Sequence, residues 1–136
     1  MGSGAVGWGP IIEMQRNFAA IGAVLGFLSV ALGAFGAHAL KKVLSPDMLA
    51  VYHTGVEYQM AHSLALLLVS LATVHVPSKL LTYAGWLFVT GIILFSGSLY
   101  LLAVTGIQRL GAITPLGGLC FLAGWALLAI AFGKKD

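Results

Sequence analysis

The sequence predicts an all-α integral membrane protein, a bundle of four transmembrane helices with a short interfacial helix between helices one and two. Hydrophobic residues make up 60% of the 136 residues and charged residues only 8%, against about 25% charged residues in a soluble globular domain. The charged residues leave four charge-free runs, at 17–40, 58–78, 80–108 and 110–133. About 20 apolar helical residues cross a bilayer, so each run is long enough to cross once.

The composition also excludes several classes of protein. The formal net charge is +3, but the basic residues are scattered over termini and loops and form no nucleic-acid patch. The one cysteine, Cys120, lies within the last apolar run. A lone cysteine excludes an intrachain disulfide and a CxxC motif, and we interpret Cys120 as a small buried apolar residue.

Residues 1–13 are rich in glycine and have no helical period, and we interpret them as an N-terminal extension. Residues 14–136 are predicted to form a single four-helix transmembrane domain. Helix one is expected from about Phe18 to Leu40. Small residues recur on one of its faces at steps of three and four, which permits close approach of a second helix. We therefore predict a helix-packing surface at Gly22, Gly26, Ser29, Gly33 and Gly36.

The segment from Lys41 to Glu57 is the only substantial loop, and it contains a helix start signal at Ser45-Pro46-Asp47. A hydroxyl N-cap, a proline at the first position and an acid in the first turn favour a helix that begins there. A helix from Pro46 to Val76 would be ~46 Å long, more than a bilayer core of ~30 Å. We therefore expect its first two turns to lie along the membrane interface or the helix to break near Thr54-Gly55.

Helix three is predicted at about Leu81–Val104, ended by Thr105-Gly106, and helix four at about Ile113–Phe132. Short connections make neighbouring helices antiparallel. One membrane face then collects four basic residues and the other three, which favours cytoplasmic termini by a small margin. The two sets are Arg16, Lys79, Lys134 and Lys135 on the first face and Lys41, Lys42 and Arg109 on the second.

The alternation of the helices brings most of the unusual polar residues to one membrane face. Helix two delivers a polar stripe in which Tyr58 and His62 are an i,i+4 pair. Trp125 is assigned to the opposite face, where indole rings are common at the membrane–water boundary. The candidate polar cluster comprises His38, Tyr58, Gln59, His62, Tyr100 and Thr114.

Two interpretations of this cluster stay open. His38 and His62 are expected within about one or two turns of the helix ends, where a structural hydrogen-bond network is the simpler interpretation. Polar groups inside a span also suggest a ligand, proton or ion site. A zinc or haem site would require His38 together with His62 and ligands that the sequence does not supply in a recognised spacing, so we expect no metal and no cofactor. No catalytic motif appears, and we expect no enzyme.

Four ordered motifs resemble a known family. They begin at Gly33, Thr54, Phe95 and Leu110 and read GAFGAHALK, TGVEYQMAHSLALL, FSGSLYLLAVTG and LGAITPLGGLCFLAGW. The chain from about Met14 to Phe132 resembles the small bacterial membrane proteins of the YwdK type, whose eukaryotic relative is called transmembrane protein 256. Residues 1–13 lie outside the resemblance, and His53 departs from the family's pattern. The resemblance implies a four-helix membrane protein of unknown function, and it implies no catalytic residue.

Two functions are compatible with these observations. The first is a structural or accessory subunit that packs through helix one against a second copy or a larger membrane complex. The second is a binder or carrier of a quinone, lipid head group or proton at the polar cluster. The expected partners are the lipid bilayer and other membrane subunits or further copies of the chain, with no nucleic acid. The expected location is the bacterial inner membrane.

Overall fold

A computed structural model of the chain describes residues 3–76 and 78–134, together with the side chains in these ranges apart from 3–8 and 11. The described residues form helices and short turns, without a strand in these ranges. The α-helices are α1 Ser3–His38, α2 Pro46–His75, α3 Lys79–Gly91, α4 Gly97–Thr105 and α5 Thr114–Gly133. A π-helical segment, Ile92–Ser96, joins α3 and α4 into one continuous helix. The predicted all-α class is confirmed.

The helices form four rods: α1, α2, α3 continued by α4, and α5. Three of these rods are long and apolar enough to cross a membrane. They cover Ile12–Lys42, Lys79–Thr105 and Gln108–Gly133. The second rod, α2, is more polar, because its buried positions include Gln59, His62 and several hydroxyl residues. The length and composition of the described residues therefore support three spans directly. The helix α2 differs from these three because it has buried polar residues.

The N-terminal segment differs from the sequence expectation. Helix α1 begins at Ser3 and continues through Pro10 to His38, so the expected start near Phe18 is wrong. A helix that already exists gains one hydrogen bond for each residue added, so a segment with no helical period of its own can extend it.

Helix α2 is one unbroken helix of 30 residues. Ser45 caps it as predicted, since the Ser45 side chain accepts a hydrogen bond from the Met48 backbone N–H. The expected break near Thr54-Gly55 is absent, and so is a separate interfacial helix in the described connection. The connection contains only the 3₁₀ turn Leu40–Lys42, because the N-cap signal starts α2 itself.

The small-residue stripe of α1 packs against α2 of the same chain. A methyl group at Gly36 would overlap the Tyr52 ring, and one at Gly22 would lie 3.1 Å from the Ser63 carbonyl oxygen. Ser29 is fully buried and donates a hydrogen bond to the Gly26 carbonyl. The stripe thus packs against α2 within the chain, and the expected contact of helix one with another chain stays a prediction.

Aromatic rings that pack against glycines connect the remaining helices. A Cβ at Gly85 in α3 would lie 2.5 Å from the Phe18 ring of α1, and one at Gly124 in α5 would lie 2.7 Å from the Phe88 ring. Phe18 and Phe88 are completely buried. Ring-on-glycine contacts bring the helix backbones close where a larger residue would separate them.

The backbone of α5 approaches the π-helical segment closely. A Cβ at Gly117 of α5 would overlap the Phe95 backbone nitrogen. Gly106, with φ of +71°, then ends α4 in a left-handed conformation, as the Thr105-Gly106 signal predicted. The 3₁₀ turn Gln108–Ala112 leads directly into α5, so the two rods run antiparallel.

Candidate functional site

His62 lies in the middle of α2 and is 5% exposed. Its Nδ1 atom is 2.7 Å from the Tyr58 carbonyl oxygen, and its Nε2 atom is 3.0 Å from the Trp125 indole nitrogen. A carbonyl only accepts and an indole N–H only donates, so these partners require a neutral imidazole protonated at Nδ1. Both ring nitrogens of His62 therefore have a partner within the chain.

The depth of His62 and the position of Trp125 correct the sequence expectations. His62 comes 16 residues after Pro46 in a continuous helix, whereas the sequence suggested a site near the helix end. Trp125 was assigned to the opposite face, yet it bonds to His62. Both errors arose because the span of α2 was assumed to begin near Tyr58, which displaced His62 towards the membrane surface.

Aromatic rings surround the His62 imidazole. The Phe121 ring stacks on it with centroids 3.6 Å apart and an angle of 10° between the planes. Phe88 and Trp125 approach at centroid distances of 5.5 and 5.8 Å. Because the neighbouring rings are apolar and His62 is buried, its two hydrogen bonds lie in surroundings of low polarity where losing either is costly.

Gln59 and Tyr100 form a second buried network. The Tyr100 hydroxyl donates to Gln59 Oε1 at 2.6 Å, and Gln59 Nε2 donates to the Leu25 carbonyl oxygen at 2.8 Å. The Tyr52 hydroxyl also bonds to a backbone carbonyl of α1, that of Leu32. These bonds tie α1, α2 and α4 together through side chains.

The other two members of the predicted cluster lie apart from these networks. Thr114 shares a hydrogen bond of 2.6 Å with Ser98, and this pair joins α4 to the start of α5. His38 is exposed at the end of α1. Within the described ranges, no hydrogen bond links His38 to the rest of the cluster. The structure thus joins Tyr58 with His62 and Gln59 with Tyr100.

A groove of about 610 Å³ opens beside His62, between α2 and α5. Tyr58 is 43% exposed here, and its ring lies 4.4 Å from that of Phe95. The groove is almost entirely apolar, since the indole N–H and both imidazole nitrogens are already bonded. Its lining includes Tyr58, His62, Phe95, Pro115, Leu122 and Trp125.

A metal site has no support in the described part of the chain. No group of three or more His, Cys, Asp or Glu side chains converges there. The His62 nitrogen that a metal would require is the acceptor of the Trp125 hydrogen bond. Both ring nitrogens of His62 are thus engaged in hydrogen bonds within the chain.

Glu57 is the one acidic residue in the central part of α2, and it points out of the bundle. It is exposed, and it lies five residues before His62. A charged side chain within a membrane-spanning helix is costly and rare. From the sequence, Glu57 was expected at the end of the connecting segment Lys41–Glu57, and the structure places it within the continuous helix α2.

These features define a class: a small, all-helical membrane protein with an internally bonded polar interior and almost no mass outside its helices. Residues 32–118 match the family described as "protein of unknown function (DUF423)". The chain belongs to this family, which confirms the resemblance inferred from the four motifs.

Relatives cover most of the chain. The UPF0382 membrane protein YwdK of Bacillus subtilis is 50% identical over 121 residues, which are 88% of this chain and 98% of that protein. A UPF0382 membrane protein of Staphylococcus epidermidis is 45% identical over 86% of this chain and 95% of its own length. The UPF0382 inner membrane protein YgdD of Escherichia coli is 43% identical over 79% and 82%. No solved structure matches the chain.

Proposed function

We propose that the chain crosses the bacterial inner membrane four times, with α2 as the fourth span. The distribution of polarity around α2 supports this crossing. Its polar residues Gln59, His62 and Ser63 are buried, whereas Leu64 and Leu71 are 58% and 64% exposed. Apolar residues outside and polar residues inside are expected of a helix in lipid, where a soluble helix would have the reverse arrangement. The name of YgdD as an inner membrane protein supports the location.

Within that topology, we propose a structural or accessory subunit of a larger membrane complex. One observation carries this proposal: in the described part of the chain, every buried side-chain nitrogen and oxygen already has a hydrogen-bond partner. A bundle whose interior is satisfied has no open polar site for chemistry. The outer surface of the bundle then remains available for interaction, and helices in lipid associate through such surfaces.

Native purification tests the accessory role. The full chain, extracted in a mild detergent, is expected to migrate on a native gel with a second membrane protein in a fixed ratio. Self-association into a defined oligomer would retain a structural role and replace the partner with further copies of the chain. A chain that migrates alone would contradict the proposal.

A second candidate function is supported by the groove beside His62. Its volume of about 610 Å³ and its aromatic walls suit a planar apolar ligand such as a quinone ring, with the exposed Tyr58 hydroxyl as the polar contact. Addition of a short-chain quinone should then raise the melting temperature of the wild-type chain by mass action. Tyr58→Phe should reduce that rise, and no rise in the wild type would remove this candidate.

A further inference from the structure

One face of α2 is exposed along the middle of the helix. Ala50, Glu57, Ala61, Leu64 and Leu68 are exposed, and their spacing of seven, four, three and four residues places them on one side of a helix. We call these five residues the Glu57 face. The sides of α2 that meet α1 and α4 carry other residues: Val56 lies beside Gly33 of α1, and Gly55 beside Tyr100 of α4.

In the proposed four-span topology, Glu57 lies within the membrane-crossing helix α2 and away from both of its ends. It is 11 residues from Pro46 and 18 from His75, the ends of α2, which corresponds to ~17 and ~27 Å along the axis. Its neighbour Gly55 packs against Tyr100 and Ser96, which lie five and nine residues before the end of the span Lys79–Thr105. In the proposed topology the Glu57 carboxylate lies on the lipid-facing side of α2, where a charge is costly.

Among the described residues, no lysine or arginine lies near the Glu57 level of the bundle. The basic residues that the structure describes lie at or near the ends of the rods, at Arg16, Lys41, Lys42, Lys79, Arg109 and Lys134. His53, one turn earlier on α2, makes no hydrogen bond to Glu57 in the described part of the chain. A second copy would bring another Glu57 and the same distribution of lysines and arginines, so it would not supply the missing charge either.

The Glu57 face also has the shape of a helix-packing surface. Ala50 and Ala61 flank Glu57, and small residues allow the backbones of two helices to approach closely in lipid. A lysine or arginine from an approaching helix would then meet the carboxylate with both groups removed from water, where ion pairs and charge-assisted hydrogen bonds are strong. Charge complementarity therefore selects a basic helix as the occupant of this face.

We propose that the Glu57 face is the docking surface for a transmembrane helix of another protein, and that this helix carries a lysine or arginine at the depth of Glu57. This inference rests on the proposed accessory role and names the surface and the chemistry of the partner. It places the intermolecular contact on the exposed face of α2 instead of on the glycine stripe of α1, which packs against α2.

Site-specific photo-crosslinking in cells tests the docking surface. A photoreactive amino acid at Ala61, in the otherwise unchanged full chain, should crosslink to one membrane protein that has a lysine or arginine inside a transmembrane segment. The matched control is Leu119, an exposed residue on α5, where the same probe should give at most one tenth of that product. Crosslinks from Ala61 to a second copy, or to lipid alone, would overturn the proposal.

Charge substitutions test the ion pair. Glu57→Lys should reduce the Ala61 crosslink at least tenfold, and Glu57→Gln should reduce it less, because glutamine keeps a hydrogen-bond acceptor. Replacement of the partner's basic residue by glutamate should restore the crosslink in Glu57→Lys. Unchanged yields of the Ala61 crosslink in both variants would overturn the ion pair, and so would a partner without a basic residue at that depth. If Glu57→Lys does not insert into the membrane, the yield in Glu57→Gln alone decides.

The two proposals fail in different ways. A native complex that persists in Glu57→Lys would overturn the Glu57 face and leave the accessory role standing. A wild-type chain that migrates alone on native gels would overturn the accessory role itself.

Discussion

At His62, two hydrogen bonds and a ring stack hold an ionisable side chain neutral in the middle of a bundle. The two partners determine the neutral form. The carbonyl requires a proton on Nδ1, and the indole N–H requires an unprotonated Nε2, so the imidazole has one proton. The residue therefore acts as a connection between α2 and α5. Histidine suits this position since one side chain supplies a donor, an acceptor and a flat apolar face.

His62→Ala should destabilise the protein. The substitution leaves the Trp125 N–H without an acceptor and removes the stack on Phe121, and an unmade hydrogen bond in such surroundings costs about 1–3 kcal/mol. The melting temperature in detergent should fall clearly for His62→Ala and stay near the wild-type value for His38→Ala, because His38 is exposed. Equal melting temperatures for the wild type and His62→Ala would refute the structural role.

The Gln59–Tyr100 network gives a milder residue-scale prediction. Tyr100→Phe removes the donor to Gln59 Oε1 while keeping the ring, so we expect a loss of about 1 kcal/mol. Tyr83→Phe is the matched control, because Tyr83 is 56% exposed and its hydroxyl can meet water or lipid head groups. Thermal unfolding in detergent measures both variants, and an equal loss in the two would contradict the role of the network.

At the scale of the helices, glycine positions determine which backbones can meet. Gly117 and Gly118 are neighbours on α5, yet a Cβ at Gly117 would overlap the Phe95 backbone and one at Gly118 would be 4.0 Å from the Phe95 ring. A backbone cannot move aside as a flexible side chain does. The close contact between α5 and the π-helical segment therefore depends on Gly117 alone of the two.

Gly117→Ala should push α5 away from the π-helical segment, whereas Gly118→Ala should be tolerated. Overpacking a close helix contact costs roughly 1–3 kcal/mol. The loss should appear as a lower melting temperature and as greater reactivity of Cys120, which lies three residues further along α5 and is partly buried. If the two variants behave alike in both measurements, the contact at Gly117 is not the one that sets the position of α5.

The sequence predicted the helices better than it predicted the contacts between them. Charge-free runs and local signals such as Ser45-Pro46 and Gly106 depend on nearby residues only, so the number of rods and several ends were correct. The continuity of α2 depends on tertiary contacts with α1 and α4, which the sequence does not display. The Trp125–His62 bond and the position of Glu57 depend on that continuity, and for this reason sequence reasoning missed them.

At the scale of the whole molecule, α2 is the central element. It packs against α1 on one side and against α3 and α4 on another, and its aromatic residues face α5 across the groove. It is also the most polar of the four rods. The other three are long and apolar enough to cross a membrane by length and composition, and α2 is not among them. Most polar groups in its middle, such as Gln59, His62 and Ser63, are buried within the bundle, and Glu57 is the exposed exception.

The proposed four crossings can be tested by labelling single cysteines from each side of the membrane in a Cys120→Ala background. Substitutions at Val43 and Gln108 should react with an impermeant thiol reagent from one side, and those at Lys79 and Lys134 from the other. Because 43 and 79 flank α2, opposite accessibility of these two positions is the direct evidence that α2 crosses. Labelling of 43 and 79 from the same side would contradict the four-span topology and, with it, the position of Glu57 inside the membrane.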